Sequence, residues 1–461
     1  MKRFGWRWFV VNSMVVSVLV LVATSAANAE TRPQYGGVLH VAMHASPTSL
    51  DPADRAQPES FARHSLTMLM FDTLVTVDEN GHVQPSLATS WQALAGGQRG
   101  QLRIRRGVKF NDGTPLTPEI AASSLRAANP SWNVAADADS VVIDISDQNL
   151  LEQLALPRNA IAKRTADNRP IGTGPFHIVD WQPGKKLALA AEDNCWRGRP
   201  FLDAVEIEMG RGFREQMTAL QLGKADLVEV APEQTHRVSL DGRRLVSSNL
   251  IELWALVFTR DVASADEKLL RDALAGSVER GSMRSVLLQG AGHPTASLLP
   301  NWMSGYGFVF PADADLTRAR HAREQVRTIP TWTVGYDGTD LLARVLVERI
   351  ALNAKDAGLW LQPTSTTKAD LRLVRIPLVS SDPWIALAGV ATLAGISAVK
   401  NPGGSVEDLY ASENALLAMQ RVIPLLHLPV SYASSPTLKN WGLRPDGSWA
   451  LADAWLGIDK P

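Results

Sequence analysis

The segment VKFNDGTPLTPE, residues 108–119, contains in order the signals of a strand, a tight turn and a helix start. Asp112 and Gly113 predict the turn, because glycine tolerates a positive φ angle and an aspartate side chain can bond to nearby backbone. Thr117 can cap a helix and Pro118 suits the first helical position. Because turn aspartates are common for backbone reasons, we interpret Asp112 as structural rather than catalytic.

Hydrophobic patterning along the chain predicts alternating strands and helices. The predicted strands are 36–43, 102–110, 141–145, 205–209, 253–258, 331–336 and 371–379, and the predicted helices are 60–69, 214–222, 267–288 and 340–357. This alternation indicates an α/β protein with mixed sheets. The sequence shows no internal repeat and no flexible linker, so we expect the domain borders to lie in tight crossovers between interleaved lobes.

The N-terminus has the pattern of an export signal. Three basic residues within the first seven precede an apolar run at 14–23, and Ala27-Asn28-Ala29 then fits a small-x-small cleavage pattern. We predict a signal peptide at 1–29, cleaved after Ala29, and a periplasmic mature protein. The apolar run is shorter than the ~20 residues of a comfortable bilayer span, although an uncleaved anchor remains the alternative.

Composition limits the classes of function. At roughly 100–200 residues per domain, 461 residues predict two or three domains. The net charge of −1 gives no reason to expect a nucleic-acid partner. Cys195 is the single cysteine, so no internal disulfide can form, and we interpret it as a buried thiol.

Motifs for catalysis and metal binding are absent from the sequence. There is no nucleophile elbow, no zinc-protease helix and no phosphate-binding loop. His40 and His44 would lie ~13 Å apart on the predicted first strand, too far to share one ion. We therefore expect a protein that is not an enzyme and has no metal or cofactor.

Several segments together resemble one family. They are GGVLHVAMHASPTSLDP (36–52), LRIRRGVKFNDGTPLTPE (102–119), RPIGTGPFHIVDWQPGKKLALAAEDNCWRGRPFLDAVEI (169–207), KLLRDALAGSVERGSM (268–283), DPW (382–384) and IPLLHLPVSYA (423–433). In this order they resemble the family 5 extracytoplasmic solute-binding proteins. These are the dipeptide- and oligopeptide-binding type that serve ABC importers.

The resemblance implies a two-lobed periplasmic-binding-protein type II fold with crossover strands between the lobes. Lobe 1 would comprise 36–255, completed by 432–461, and lobe 2 would comprise 256–431. It implies a monomer that encloses a small ligand, peptide-like or another organic solute, and delivers it by lobe closure to an ABC permease in the inner membrane. A non-transport sensor or chaperone-like binder on the same scaffold is the alternative, and a secreted enzyme is a further one.

The resemblance also supplies candidate ligand contacts, namely Ser46, Phe258, Arg375, Asp382 and Trp384. Three of these residues also have a purely structural interpretation. Trp384 could pack in the core, Arg375 could lie at an exposed edge, and Asp382 could cap the following helix.

The sequence departs from the family where peptide-binding members hold the peptide ammonium. Aligning their acid–proline pair with Asp382 and Pro383 places Val379 at the position of the ammonium-binding aspartate. Valine cannot pair with an ammonium, and a buried unpaired charge is unfavourable. With Arg375 close by in sequence, this pattern predicts a neutral or anionic ligand that has some apolar surface.

Overall fold

A computed structural model describes residues 32–94, 98–146, 149–241, 243–307, 309–396 and 404–457. The strands are β1 (Val38–Ala42), β2 (Val75–Val77), β3 (Val83–Pro85), β4 (Ala88–Leu94), β5 (Arg99–Ile104), β6 (Asn133–Asp137), β7 (Ser140–Asp144), β8 (Lys163–Arg164), β9 (Pro170–Ile171), β10 (Phe176–Gln182), β11 (Lys186–Ala191), β12 (Ala204–Glu208), β13 (Leu227–Val230), β14 (Arg244–Phe258), β15 (His293–Pro294), β16 (Thr331–Gly335), β17 (Trp360–Thr364), β18 (Leu371–Pro377), β19 (Val422–Ser434), β20 (Leu438–Lys439), β21 (Gly442–Leu443), β22 (Trp449–Ala450) and β23 (Trp455–Leu456). The α-helices are α1 (Phe61–Met70), α2 (Pro118–Ala128), α3 (Leu150–Ala155), α4 (Phe213–Gln221), α5 (Thr235–Leu240), α6 (Ala265–Ser277), α7 (Arg280–Ser282), α8 (Asn301–Ser304), α9 (Leu316–Glu324), α10 (Leu341–Asp356), α11 (Pro383–Leu393) and α12 (Val406–Ala418). Short 3-10 turns occupy Pro157–Asn159 and Pro232–Gln234, and a π-turn occupies Met283–Leu287.

One mixed sheet runs through the whole fold. Its strand order is β10-β11-β12-β1-β13-β19-β14-β18-β16-β17, and β15 pairs with β19 outside that path. The two long strands β14 and β19 are antiparallel neighbours at its centre. Because each has 13 or more residues, the pair is long enough to belong to two hydrophobic cores in succession. The predicted α/β class with mixed sheets is confirmed.

The hydrophobic cores divide the molecule into two lobes. In lobe 1, helices cover β1, β12 and β13, and a separate four-stranded sheet packs nearby. In lobe 2, one core lies on each face of the sheet formed by β14, β16 and β18. The chain after β19 returns to lobe 1, where Trp441, Trp449 and Leu451 are buried. The predicted borders at 255/256 and 431/432 fall inside β14 and β19, and the division at those residues stays a prediction.

The turn at 108–119 forms as its sequence predicts. Gly113 has a φ of +81°, and the carboxylate of Asp112 accepts a hydrogen bond from the backbone N–H of Thr114 at 3.0 Å. Thr117 caps α2 by accepting from the backbone N–H of Ile120. Asp112 also forms an ion pair with Lys163 at 2.7 Å. These contacts give the aspartate a structural role.

Two stretches of the 169–207 segment converge on the buried side chain of Asp72. Its carboxylate accepts hydrogen bonds from the Thr173 hydroxyl at 2.8 Å and the Trp196 indole at 2.9 Å, and it pairs with Arg197 at 3.0 Å. Gly172 lies against the backbone of α1, where a Cβ would come within 2.0 Å of a carbonyl oxygen. The glycine is therefore required for close approach of two backbones rather than for an unusual φ angle.

The described residues contain no helix that is both long and apolar enough to cross a bilayer. The predicted signal peptide and its cleavage site after Ala29 lie outside the described residues. The predicted helix at 267–288 is interrupted: it comprises α6, α7 and a π-turn, because Val278 and Glu279 leave helical geometry.

Candidate functional site

Lobe 1 presents polar side chains to lobe 2 at the carboxyl ends of its parallel strands β1 and β13. His44 follows β1, and its ring stacks on Phe213 with 5.0 Å between the ring centroids. The backbone N–H of His44 donates to the carboxylate of Glu229 on β13, which also accepts from Gln216 at 3.2 Å. The strand ends thus hold a half-buried carboxylate at the edge of lobe 1.

Lobe 2 presents the ends of its parallel strands β16 and β18 and the first turns of α10 and α11. Arg375 at the end of β18 forms an ion pair with Asp340, the N-cap of α10. Its guanidinium also lies 4.3 Å from the ring centroid of Trp254. Arg375 is therefore already paired with a carboxylate and stacked on an aromatic ring.

Carboxylates from both lobes interact electrostatically with this arginine. Burial raises the pKa of Glu229 and of Glu233, and the positive charge of Arg375 opposes the shift in both. Hydrogen bonds from Thr339 lower the pKa of Asp337, which also interacts electrostatically with Arg375. The buried Oε2 of Glu233 has no hydrogen-bond partner in the part of the chain that the structure describes. These carboxylates outnumber the single guanidinium of Arg375, so the formal charge of the group as a whole is negative.

A direct hydrogen bond joins the lobes at the start of α11. The side-chain amide of Asn149 donates to Oδ2 of Asp382 at 2.9 Å. The other carboxylate oxygen of Asp382 caps α11 by accepting from the backbone N–H of Ile385 at 2.8 Å. Asn149 has the left-handed backbone angles φ 67° and ψ 43°, which asparagine tolerates better than most residues.

A cavity of about 350 Å³ opens beside this bond and has walls from both lobes. Lobe 2 contributes Val379, Ser380 and Ser381. Lobe 1 contributes Met68, Thr76, Val77, Asp78, Glu79, Glu152, Ala155, Leu156, Pro157, Arg197, Leu443, Arg444, Pro445, Asp446 and Ala450. Its size is within the range of small-molecule sites, and it mixes apolar walls with a few charged groups.

One wall of the cavity rests on a buried ion cluster. Asp446 lies 3.3 Å from Nδ1 of His64, and Glu59 contacts Nε2 of the same ring. Burial alone would lower the pKa of His64, but hydrogen bonds to Asp446 and Glu59 and their charges raise it to about 9. His64 is therefore a cation at neutral pH, held between two carboxylates.

Stability should fall as this histidine deprotonates. Because the pKa of His64 in the folded state, about 9, exceeds its ordinary value of 6.5, its stabilising contribution is complete below pH 6.5 and is lost as pH rises through 9. We expect the free energy of unfolding, measured by urea titration, to fall by roughly 2–3 kcal/mol between pH 6.5 and 9.5. The variant His64→Gln should flatten this dependence, whereas His82→Gln, at an exposed position, should leave it unchanged. An equally steep fall in His64→Gln would contradict the assignment.

The predicted contacts lie in different environments. Arg375 and Asp382 reach the boundary between the lobes. Ser46 is exposed beside the β10–β11 turn. Phe258, 1% exposed, packs against Trp332 in the core of lobe 2, and Trp384 is buried on the other face of the sheet. Ligand contact by these five residues stays a prediction, but in this conformation the two aromatic residues have almost no free surface.

From the sequence, His44 is considered only as a metal ligand, and four further residues at the boundary between the lobes are not identified: Asn149, Glu152, Glu229 and Glu233. One signal was available, because acidic residues on and just after β13 lie where the carboxyl ends of parallel strands commonly form binding crevices. Asn149 and Glu152 had no such signal, since their position depends on how lobe 1 meets α11.

Comparison with known proteins gives consistent matches. The family model described as bacterial extracellular solute-binding proteins, family 5 middle, matches residues 82–369. The oligopeptide-binding protein AppA of Bacillus subtilis is 24% identical over 361 residues, which cover 68% of this chain and 65% of that protein. The chain thus spans just under two thirds of this relative.

Solved structures show the same fold. The ABC transporter-associated periplasmic binding protein DppA of Helicobacter pylori, in complex with the peptide STSA, has a TM-score of 0.79 at 15% identity, covering 94% of this chain and all of that one. NikA of Staphylococcus aureus, in complex with Ni(L-His)2, has a TM-score of 0.75 at 16% identity, covering 89% and 97%. At these identities the likeness shows the two-lobed fold alone.

Proposed function

Because the chain belongs to the bacterial extracellular solute-binding proteins of family 5, we propose that it binds a small organic solute between its lobes and delivers it to an ABC import permease. The names of several relatives found by sequence refer to binding or transport of peptides, nickel, heme or deoxycholate. We propose that the mature protein acts in the periplasm after cleavage behind Ala29.

The observation that carries this proposal is the cavity with walls from both lobes. A ligand in it would contact Val379 and Ser381 of lobe 2 and, at the same time, Glu152 and Leu156 of lobe 1. We propose that the closed arrangement of the lobes offers both sets of contacts and that an open arrangement would offer only one of them. A ligand that gains contacts in one state alone shifts the equilibrium toward that state.

The central strands offer a place for the hinge. The pairing of β14 with β19 shifts register between Ser247 and Leu250 and again between Leu250 and Glu252. Such irregularities interrupt the ladder of hydrogen bonds and bend a strand locally. We propose that these residues absorb the rotation of one lobe against the other, since rigid cores lie on either side.

Ligand should make the protein more compact. Native mass spectrometry of the purified mature protein would identify a ligand retained from the cell, and X-ray scattering would compare the stripped protein with the protein after that ligand is returned. We expect the radius of gyration to fall with ligand while the circular dichroism spectrum stays constant. An unchanged radius at saturating ligand would argue against closure.

The bond between Asn149 and Asp382 provides a matched variant for the same measurement. Asn149→Gly keeps the left-handed backbone but removes the amide, so we expect affinity for the returned ligand to fall by roughly three- to tenfold, as for loss of one hydrogen bond. Asn168→Gly, also left-handed at φ 61° but exposed in lobe 1, should bind as the parent does.

A further inference from the structure

Most charged groups that line the interlobe cavity already have partners. Arg197 pairs with Asp72 at 3.0 Å, and Asp446 pairs with His64 at 3.3 Å. Arg444 donates to a backbone carbonyl at 2.7 Å. These groups are held in place by lobe 1 itself, so a ligand would have to compete with an existing contact to pair with them.

Glu152 differs from these charged groups in having no ion-pair partner among the described residues. It lies in the first turn of α3 and is only partly exposed in the cavity wall. Among the residues that the structure describes, no lysine or arginine lies within ion-pair distance of its carboxylate, and Asp382, which acts on it electrostatically, is negative. Burial raises the pKa of Glu152, and the charge of Asp382 adds to the shift.

The rest of the lining indicates the other features of a ligand. Apolar side chains contribute much of the wall: Met68, Val77, Leu156, Val379 and Leu443. Ser380 and Ser381 add hydroxyl groups from lobe 2. A molecule of matching chemistry would combine a compact apolar part with one positively charged group.

We propose that this cavity takes a small organic cation with an apolar portion, and that Glu152 of lobe 1 pairs with its charged nitrogen. The assignment rests on the proposed function and names the class of its ligand. It differs from the expectation of a neutral or anionic ligand, which rested on Val379 at the position of the family's ammonium-binding aspartate together with Arg375; here Glu152 of lobe 1 would supply the carboxylate that Val379 lacks. The Arg375 guanidinium already pairs with Asp340 in an acidic surrounding, and so it gives no reason to expect an anion.

The physical reason for expecting a cation is the environment of the Glu152 carboxylate when no ligand is bound. Glu152 has lost part of its hydration; within the described part of the chain its carboxylate gains a hydrogen bond from its own backbone N–H but no opposite charge, which is unfavourable. A cationic nitrogen would restore both a hydrogen bond and a compensating charge. The carboxylate would come from lobe 1, across the cavity from Val379, so that the ion pair forms as the lobes close around the ligand.

The experiment uses three primary amines as probes, namely phenethylamine, leucinamide and leucyl-leucine, each beside its N-acetylated form, which lacks the ammonium charge. Calorimetry on the mature protein should detect binding of at least one amine and at least tenfold weaker binding of its acetylated form. The variant Glu152→Gln should bind that amine roughly 10- to 100-fold more weakly, as for loss of a charged hydrogen bond. Its midpoint of thermal unfolding should not fall, because Glu152 forms no ion pair with any residue that the structure describes.

Glu119→Gln is the matched control, since Glu119 also lies in the first turn of a helix of lobe 1 but is exposed and outside the cavity. It should bind the amine as the parent does. The proposal is overturned if none of the three amines binds, if an acetylated form binds as tightly as its amine, or if Glu152→Gln binds unchanged. A neutral or anionic ligand that compacts the protein would overturn the cation assignment and leave the transport proposal intact.

Discussion

Gly172→Ala should destabilise lobe 1 by about 3 kcal/mol or more. A Cβ at this position would lie 2.0 Å from the carbonyl oxygen of Met70 and 2.6 Å from the ring of Phe71. Both belong to the end of α1, which is buried and cannot yield without disturbing the Asp72 cluster. Forcing extra atoms into a packed core typically costs about 1–3 kcal/mol, and here the obstacle is backbone rather than a flexible side chain. Urea unfolding of the mature protein, followed by circular dichroism, measures the loss.

Gly212→Ala is the control for this variant. Gly212 is in the same lobe, has an ordinary φ of −63° and has no atom within 4 Å of the position that a Cβ would occupy. We expect its free energy of unfolding to change by less than about 1 kcal/mol, mainly through the N-cap preference of α4. A similar loss in both variants would mean that close approach is not what requires glycine at 172.

Arg271→Met should destabilise lobe 2 by about 3–5 kcal/mol. The arginine is fully buried on α6, where it pairs with Glu267 and donates to the backbone carbonyls of Gln420 and Arg260, each at 3.1 Å. Its guanidinium also lies 3.8 Å from the ring centroid of Phe258. Methionine can fill the volume but leaves the carbonyls without a donor and the buried carboxylate with one partner fewer.

The matched control is Arg344→Met on α10. Arg344 pairs with Glu348 at 2.8 Å with the same four-residue spacing that joins Glu267 to Arg271, but it is exposed. Exposed pairs of this kind contribute about 0.3–0.5 kcal/mol, so the unfolding midpoint in urea should hardly move. If Arg271→Met shifted the midpoint no further than Arg344→Met, the buried network would contribute little to the stability of lobe 2.

The Arg271 network also explains the position of Phe258. From the sequence, its place in a crossover strand made it a candidate ligand contact. In the structure its side chain points into the lobe 2 core, between Trp332 and Arg271. Period-two patterning shows that alternate residues of β14 share a face, but both faces of that strand are covered by buried residues. Hydrophobicity alone therefore could not tell a core face from a face that lines a cleft.

Local patterns determined much of the fold. Asp112 and Gly113 fix a turn, Thr117 fixes a helix start and Asp382 fixes another, because turns and caps depend on residues that are close in sequence. The alternation of strands and helices gave the α/β class, and the ordered set of motifs gave the family. These features follow from interactions within a few residues or from periodicity, both of which can be read along the chain.

The charge of the candidate site was decided by tertiary structure. Arg375 is 35 residues from Asp340 in sequence, and Asn149 is 233 residues from Asp382, yet each pair is in contact. Whether a charge is available to a ligand depends on the partners that the fold brings to it, and the same arginine would favour an anion if Asp340 lay elsewhere. The sequence by itself determined the local elements and the family. That Glu152 faces Asp382 and, among the described residues, has no cationic partner is decided only where the two lobes meet, because electrostatic balance depends on distance in space and on burial.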